Sequence, residues 1–303
     1  LDIENVSRCN FRCQMCQVSE WDKGKRAEDM SFESFKNLND EQYGVVELKI
    51  QGMGEPTLGR DEYYKMIRYA RDQHIWVRTV TNASILHKSE NYKKIIDSGV
   101  NELQISIDGS TKEVFERIRN KANFEKVIEN CKLVNLYAEG ANKRVTKMWT
   151  VVQKDNFDQL DDLVELAAKL HFPSVVFSFD LGDWGQEDWT KTNLNYQSNA
   201  IDYYQGIRLV EKGKELGIEV YFWYLDSKYD RNNLCPWPFE RAYVSSDFRI
   251  VPCCMVANPD VKDLGNALDF TREWNGEKYQ SFRKKHIDMS VPTICKSCYS
   301  NGS

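Results

Sequence analysis

Residues 1–16 read LDIENVSRCNFRCQMC: a strand-like run, LDIENV, followed by Cys9, Cys13 and Cys16 in the spacing C-x3-C-x2-C. Three thiolates this close in sequence form a cradle for metal, and the missing fourth ligand is informative. Structural zinc takes four ligands and normally leaves a second local pair. A cubane iron–sulfur cluster held by three cysteines keeps one iron open to a substrate or cofactor. A zinc knuckle, or three buried cysteines, is the competing reading.

Outward from that loop, strand and helix take turns. Ser31 is placed to cap a helix carrying Phe32, Phe35 and Leu38 at helical spacing. VVELKIQG (45–52) reads as a strand running into Gly52-Met53-Gly54-Glu55-Pro56. A helix over 61–73, strand 76–83, helix 89–99, strand 102–109, helices from Thr111 and Asn123, strand 145–152, helix 157–170 and strand 174–180 follow. This order predicts an α/β fold with a parallel sheet and right-handed crossovers. A closed eight-stranded barrel needs two more units, and IEVYFWYL (218–225) supplies at best one. The expectation is a partial (β/α)6 barrel over 1–230 and a small C-terminal Cys-rich α+β cluster-binding domain over 231–303.

Ligands of such sheets bind at the carboxyl ends of the strands. The cysteine loop follows strand one, GMGEP strand two, Thr81-Asn82 strand three and Ser106-Ile107-Asp108-Gly109 strand four, so one rim carries one site. DLGDWGQEDW (180–189), after strand six, is a substrate lid or a surface loop.

From Cys235 the composition changes. RAYVSS and FRIVP, separated by Asp247, predict a β-hairpin with Cys235 before it and Cys253 at its end. Short helices over 268–274 and 277–286 lead to Cys295-Lys296-Ser297-Cys298. Two separated cysteine pairs also suit a zinc ribbon. Cys131 lies in phase with Phe124, Val127, Ile128 and Val134 as a small core residue. Cys254, beside Cys253, is a replacement ligand, a buried bystander or a hydrogen-atom donor. His74, His87, His171 and His286 form no ligand spacing.

The 303 residues carry 41 Lys+Arg against 46 Asp+Glu, a formal charge of -5 without a basic stripe, which disfavours a nucleic-acid partner. Apolar runs are far too short to span a bilayer, so no membrane association and a cytoplasmic location are expected. Nine cysteines in short-spaced clusters fit metal ligation in a reducing compartment better than a disulfide scaffold. Eight Trp, 15 Tyr and 14 Phe supply aromatics for a cleft as well as a core. The chain opens on Leu1 rather than Met, and residues ahead of it are expected.

The C-x3-C-x2-C loop, GMGEP, SIDG and the strand–helix order together resemble the radical S-adenosylmethionine superfamily over almost the whole chain. The resemblance implies a [4Fe–4S] cluster on Cys9, Cys13 and Cys16, whose open iron is chelated by the amino and carboxylate groups of S-adenosylmethionine. An electron from the cluster then yields a 5′-deoxyadenosyl radical that abstracts hydrogen from an unactivated C–H bond. Gly52 and Gly54 would let the backbone approach the methionine moiety, and Glu55 or a main-chain carbonyl there would accept from its ammonium. Asn82 and Ser106 would hydrogen-bond the ribose or the carboxylate. Arg119 would pair with that carboxylate, or else is a solvated helix end. Met15 stands where family members commonly carry an aromatic residue beside the adenine.

The later set, Cys235, Cys253, Cys295 and Cys298, resembles the SPASM auxiliary-cluster domain in its shortened twitch form, with a second [4Fe–4S] cluster. From Cys235 onward the chain is most similar to 2-deoxy-scyllo-inosamine dehydrogenase-like enzymes. The implied activity is hydrogen abstraction from a small polar substrate, a sugar, aminocyclitol or related metabolite, ending in two-electron oxidation of an alcohol carbon. A flavodoxin- or ferredoxin-like donor is the implied partner. The alternatives are a radical epimerase with Cys254 as hydrogen donor, a maturase of ribosomal peptides, and a non-enzymatic zinc or iron–sulfur interaction protein. The peptide alternative is expected to hold only if a leader-binding domain lies among residues ahead of Leu1.

Overall fold

In ELKI and its neighbouring strands, apolar and polar residues alternate with the period of two that sends successive side chains to opposite faces. Leu48, Ile50, Val77, Leu103, Ile105 and Met148 are fully buried beneath helices, while Lys49, Arg78, Gln104 and Trp149 line cavities on the concave side. The computed structural model describes residues 1–179, 181–194, 201–224 and 228–299. Asp180 and Leu225, at the ends of two expected strands, lie outside the described residues, as does the side chain of Glu187 in the 180–189 loop.

The strands are β1 (Asp2–Ile3), β2 (Glu47–Ile50), β3 (Trp76–Thr81), β4 (Glu102–Ser106), β5 (Thr146–Val151), β6 (Ser174–Phe179) and β7 (Glu219–Tyr224). Each pairs in parallel with the next, forming an open, partial barrel. The seventh strand goes one beyond the six expected, registering Ser174 through Phe179 against Glu219 through Tyr224. Helices begin where the sequence offers caps: Ser31, Thr111 and Asn123 accept from the amides of Ser34, Val114 and Lys126. The helix expected over 157–170 starts as a 3-10 turn, Phe157–Gln159, before Leu160–Lys169. Cys131 is fully buried in the core, as its helical phase predicts.

The expected hairpin forms from β8 (Tyr243–Val244) and β9 (Ile250–Val251), antiparallel around Asp247. Its first strand pairs in parallel with β1, Asp2 against Tyr243, so among the described residues the sheet order is β7-β6-β5-β4-β3-β2-β1-β8-β9. The division expected at residue 230 therefore does not interrupt the sheet. A second apolar cluster of Val18, Met53, Tyr243, Val251, Val256 and Ala257 packs the segment after the first cysteine set and the glycine turn against the residues on either side of Cys253. Among the described residues no helix is long and apolar enough to cross a membrane.

Candidate active site

The turn after β2 is built for close approach. A Cβ on Gly54 would stand 2.3 Å from the carbonyl oxygen of Val6 and 2.6 Å from that of Arg8, both backbone atoms of the segment leading to Cys9. A Cβ on Gly52 would meet the side chain of Glu4 at 2.4 Å. Only glycine lets the two loops touch at these points. Glu4, fully buried just after β1, accepts from the Met53 amide at 3.3 Å, from the Ser246 amide at 3.1 Å and from Arg26 at 2.6 Å. Arg26 also reaches Asp247 at 2.9 Å. One buried carboxylate thus ties the first strand, the glycine turn and the C-terminal hairpin together.

Cys9, Cys13 and Cys16 line a cavity of about 290 Å³ together with Gly52, Gly54, Glu55, Asn82, Ser106 and Arg119. Every first-set cysteine and every expected cofactor contact is brought to this one cavity. Burial pushes the three thiols up, Cys16 to about 12, and the charge of neighbouring thiolates adds to the rise at Cys9 and Cys16. Three ionised sulfurs in one buried cradle call for cationic compensation, which suits an iron–sulfur cluster. The close packing at Gly52 and Gly54 presses the turn against the segment leading to the cysteines, so that both border one cavity.

Two side chains act differently from expectation. Glu55, expected to accept from an ammonium group, is buried and already accepts from Thr57 N at 3.2 Å, Thr57 Oγ1 at 2.5 Å, Thr81 Oγ1 at 2.6 Å and Asn82 N at 2.7 Å. A carboxylate has about four acceptor positions, so this one is filled by the chain's own donors and fixes the end of β3. Arg119 is no solvated helix end: it is buried and forms an ion pair with buried Asp108 at 2.7 Å. Asn82 directs its amide toward Asn10 at 3.1 Å and Cys9 Sγ at 3.8 Å, bracing the cysteine loop. Met15 is buried against the cavity, and its carbonyl accepts from Trp184.

Cys235, Cys253, Cys295 and Cys298 line a second cavity of about 400 Å³. Burial raises all four thiols, Cys298 to about 11. Tyr299 supports this set, accepting from the Cys235 amide at 3.0 Å and meeting His286 Nδ1 at 2.9 Å. The two cavities share a wall of Lys49, Gln104, Trp149, Trp184, Cys254 and Met255. Among the described residues no group of three or more His, Cys, Asp and Glu side chains is gathered about one ion position. Each cysteine set instead surrounds a volume. The 180–189 loop contributes Leu181, Gly182 and Trp184 to the first cavity, so it is part of the site. Lys49, Gln104 and Trp149 carry no motif; the polar half of each strand's alternation is the signal that points to them.

Residues 6–167 match the model of the Radical SAM superfamily, and residues 235–299 match that of SPASM, an iron–sulfur cluster-binding domain. Mycofactocin maturase MftC of Mycolicibacterium smegmatis is 32% identical over 171 residues, 56% of this chain and 41% of that protein, so the chain spans about two fifths of that relative's length. Streptococcus suis SuiB, in its crystal structure bound to precursor peptide SuiA, superposes with a TM-score of 0.70 at 16% identity, covering 98% of this chain and 70% of SuiB. BtrN in complex with AdoMet and 2-DOIA superposes with a TM-score of 0.57 at 16% identity, covering 99% and 92%. At these identities the two structures speak for the fold alone.

Proposed function

The chain belongs to the radical S-adenosylmethionine superfamily, uses S-adenosylmethionine and iron–sulfur clusters, and on that footing we propose that it oxidises an alcohol carbon of a small polar substrate by two electrons. When bound, the clusters and S-adenosylmethionine supply the one-electron chemistry, which takes hydrogen from an unactivated carbon and stores an electron. Cys9, Cys13 and Cys16 would hold one cluster, and Cys235, Cys253, Cys295 and Cys298 the other. Gly52 and Gly54 hold the turn tight against the segment leading to Cys9, and both border the first cavity.

The observation that carries the reading is the wall shared by the two cavities. A substrate seated against Trp149 and Gln104 borders both cysteine sets at once. Loss of one hydrogen atom, then of the hydroxyl proton and a second electron, converts the alcohol to a carbonyl. Trp149, Trp184 and Met255 keep water from the reacting carbon, which protects a radical from other donors.

Maturation of a ribosomal peptide is the second reading, favoured by the likeness to mycofactocin maturase MftC. Anaerobic reconstitution with iron counting, followed by a 5′-deoxyadenosine assay with dithionite, tests the common ground; about eight irons are expected for two cubanes. A product lighter by two hydrogens identifies oxidation, and a peptide encoded by a neighbouring gene that is modified instead identifies the maturase. A product of unchanged mass in ordinary water that instead takes up one deuterium when the reaction is run in heavy water would replace both with epimerisation. In that case Cys254→Ala, at the shared wall, should abolish it.

A further inference from the structure

The auxiliary-side cavity is lined by four cations, Lys49, Arg78, Lys228 and Arg241, and by two carboxylates, Asp2 and Asp183. Arg78 and Arg241 both turn to Glu47, at 2.5 and 3.7 Å, a residue outside the lining. Of the two acids, Asp2 lies in register beside Lys49, feels that lysine's charge and accepts from the Gln51 amide at 3.1 Å, and Asp183 accepts from the Gly185 amide at 2.8 Å. Among the described residues neither the Lys49 nor the Lys228 ammonium makes a hydrogen bond or an ion pair. Lys228 stands over the Trp223 ring, 4.9 Å from its centroid. Lys49 is half-buried on the concave side of β2 and is the charged residue of the wall shared by the two cavities.

The half-buried Lys49 ammonium makes no direct ion pair, and Asp2, the acid beside it, is already taken up by the Gln51 amide, so an arriving anion can become its direct partner. We propose that the chamber selects a substrate bearing an anionic group, a carboxylate or a phosphate, which seats against Lys49. The indoles of Trp149 and Trp223, 6.4 Å apart, flank the rest of the molecule. This rests on the reading that substrate sits between the two cysteine sets, and it narrows the substrate class.

The test uses the anaerobically reconstituted protein with S-adenosylmethionine bound. Calorimetry at fixed ionic strength compares N-acetylglycine with N-acetylglycinamide, and glycerol 3-phosphate with glycerol. One anion is expected to bind at least about tenfold more tightly than its neutral partner, the scale of one charge-assisted contact. The pair that shows the larger ratio separates carboxylate from phosphate. Lys49→Gln should lose the ratio and Lys49→Arg should keep most of it. Lys278→Gln, which removes an exposed charge, should leave it intact. Iron content reports folding, and Lys49→Met stands in should the glutamine variant fail to load iron.

Equal binding of anion and neutral partner, no binding by either pair, an undiminished ratio in the Lys49 variant, or an equal loss in Lys278→Gln would each overturn the proposal. The measurement needs no turnover. Anion binding through Lys49 without any oxidised product would remove the alcohol-oxidation reading and leave this one standing.

Discussion

The indole N–H of Trp184 donates to the carbonyl oxygen of Met15 at 3.0 Å, fastening the loop after β6 to the peptide between the second and third cysteines. Trp184 holds a left-handed backbone conformation, φ 55°, which costs a bulky residue about 1–3 kcal/mol and persists where surrounding contacts over-determine it. Trp184→Phe keeps the ring and loses the hydrogen bond, worth about 1 kcal/mol. We expect it to raise the apparent KM for S-adenosylmethionine severalfold with its iron content intact, and Trp184→Ala to lower kcat as well by opening the shared wall. Deoxyadenosine kinetics unchanged in the alanine variant would show that the loop is not part of the working site.

Gly54→Ala should abolish deoxyadenosine formation. Its methyl would stand 2.3 Å from a backbone oxygen of the cysteine loop and push that loop outward. Iron content after reconstitution should fall by about half, four irons of eight. Gly140→Ala, where nothing lies within 4 Å of the added carbon, serves as the control and should leave stability unchanged or raise it by up to ~1 kcal/mol.

Replacing Cys9, Cys13 and Cys16 together by alanine should likewise remove about half of the iron and end deoxyadenosine formation. Replacing Cys235 and Cys298 should instead leave deoxyadenosine formation measurable while oxidised product disappears. Iron analysis with product assay separates the two sets. Equal loss of both activities in both variants would argue against a division of labour.

Breaking the buried pair of Asp108 and Arg119 should be costly. Asp108→Asn leaves a buried guanidinium uncompensated, an effect of about 3–5 kcal/mol in urea unfolding. Asp108→Leu combined with Arg119→Met should recover much of that stability yet bind S-adenosylmethionine weakly, because Arg119 lines the cavity.

His286 is buried, and desolvation lowers its pKa from 6.5 to about 4. The unfolded chain takes up this proton as pH falls through 6.5, the folded chain only near 4, so between those values the unfolded state holds more protons and stability declines as pH drops. The loss is bounded at about 3 kcal/mol. Urea midpoints at pH 7 and pH 5 should differ more for the wild type than for His286→Gln. Parallel pH profiles would exclude His286 as the source.

The strand–helix order and both cysteine sets were legible because each is encoded locally, in a period of two or 3.6 and in short spacings. What escaped reading depends on partners far apart in sequence. Nothing in LDIENV says that Glu4 is neutralised by Arg26 and reaches Ser246 across 242 residues. Glu55 sits in the expected motif, yet its acceptors are filled by Thr57, Thr81 and Asn82, a saturation visible only once β2 and β3 lie side by side. Arg119 was readable as cationic and near the rim. Its burial against Asp108 was not, since a residue at the end of a seven-residue helix is as often solvated. The hairpin's choice of β1 was equally hidden, because alternation specifies a strand's faces and leaves its edge partner open.

The parallel pairing of β1 with β8 bears on the order in which the chain matures. During synthesis the amino-terminal strand emerges first and can join β2 early, but its other edge waits until residues 243–244 leave the ribosome. Contacts of such long sequence separation close late. For most of its synthesis the chain therefore carries an open β1 edge beside the first cysteine loop, and the sheet is completed only when residues 243–244 arrive.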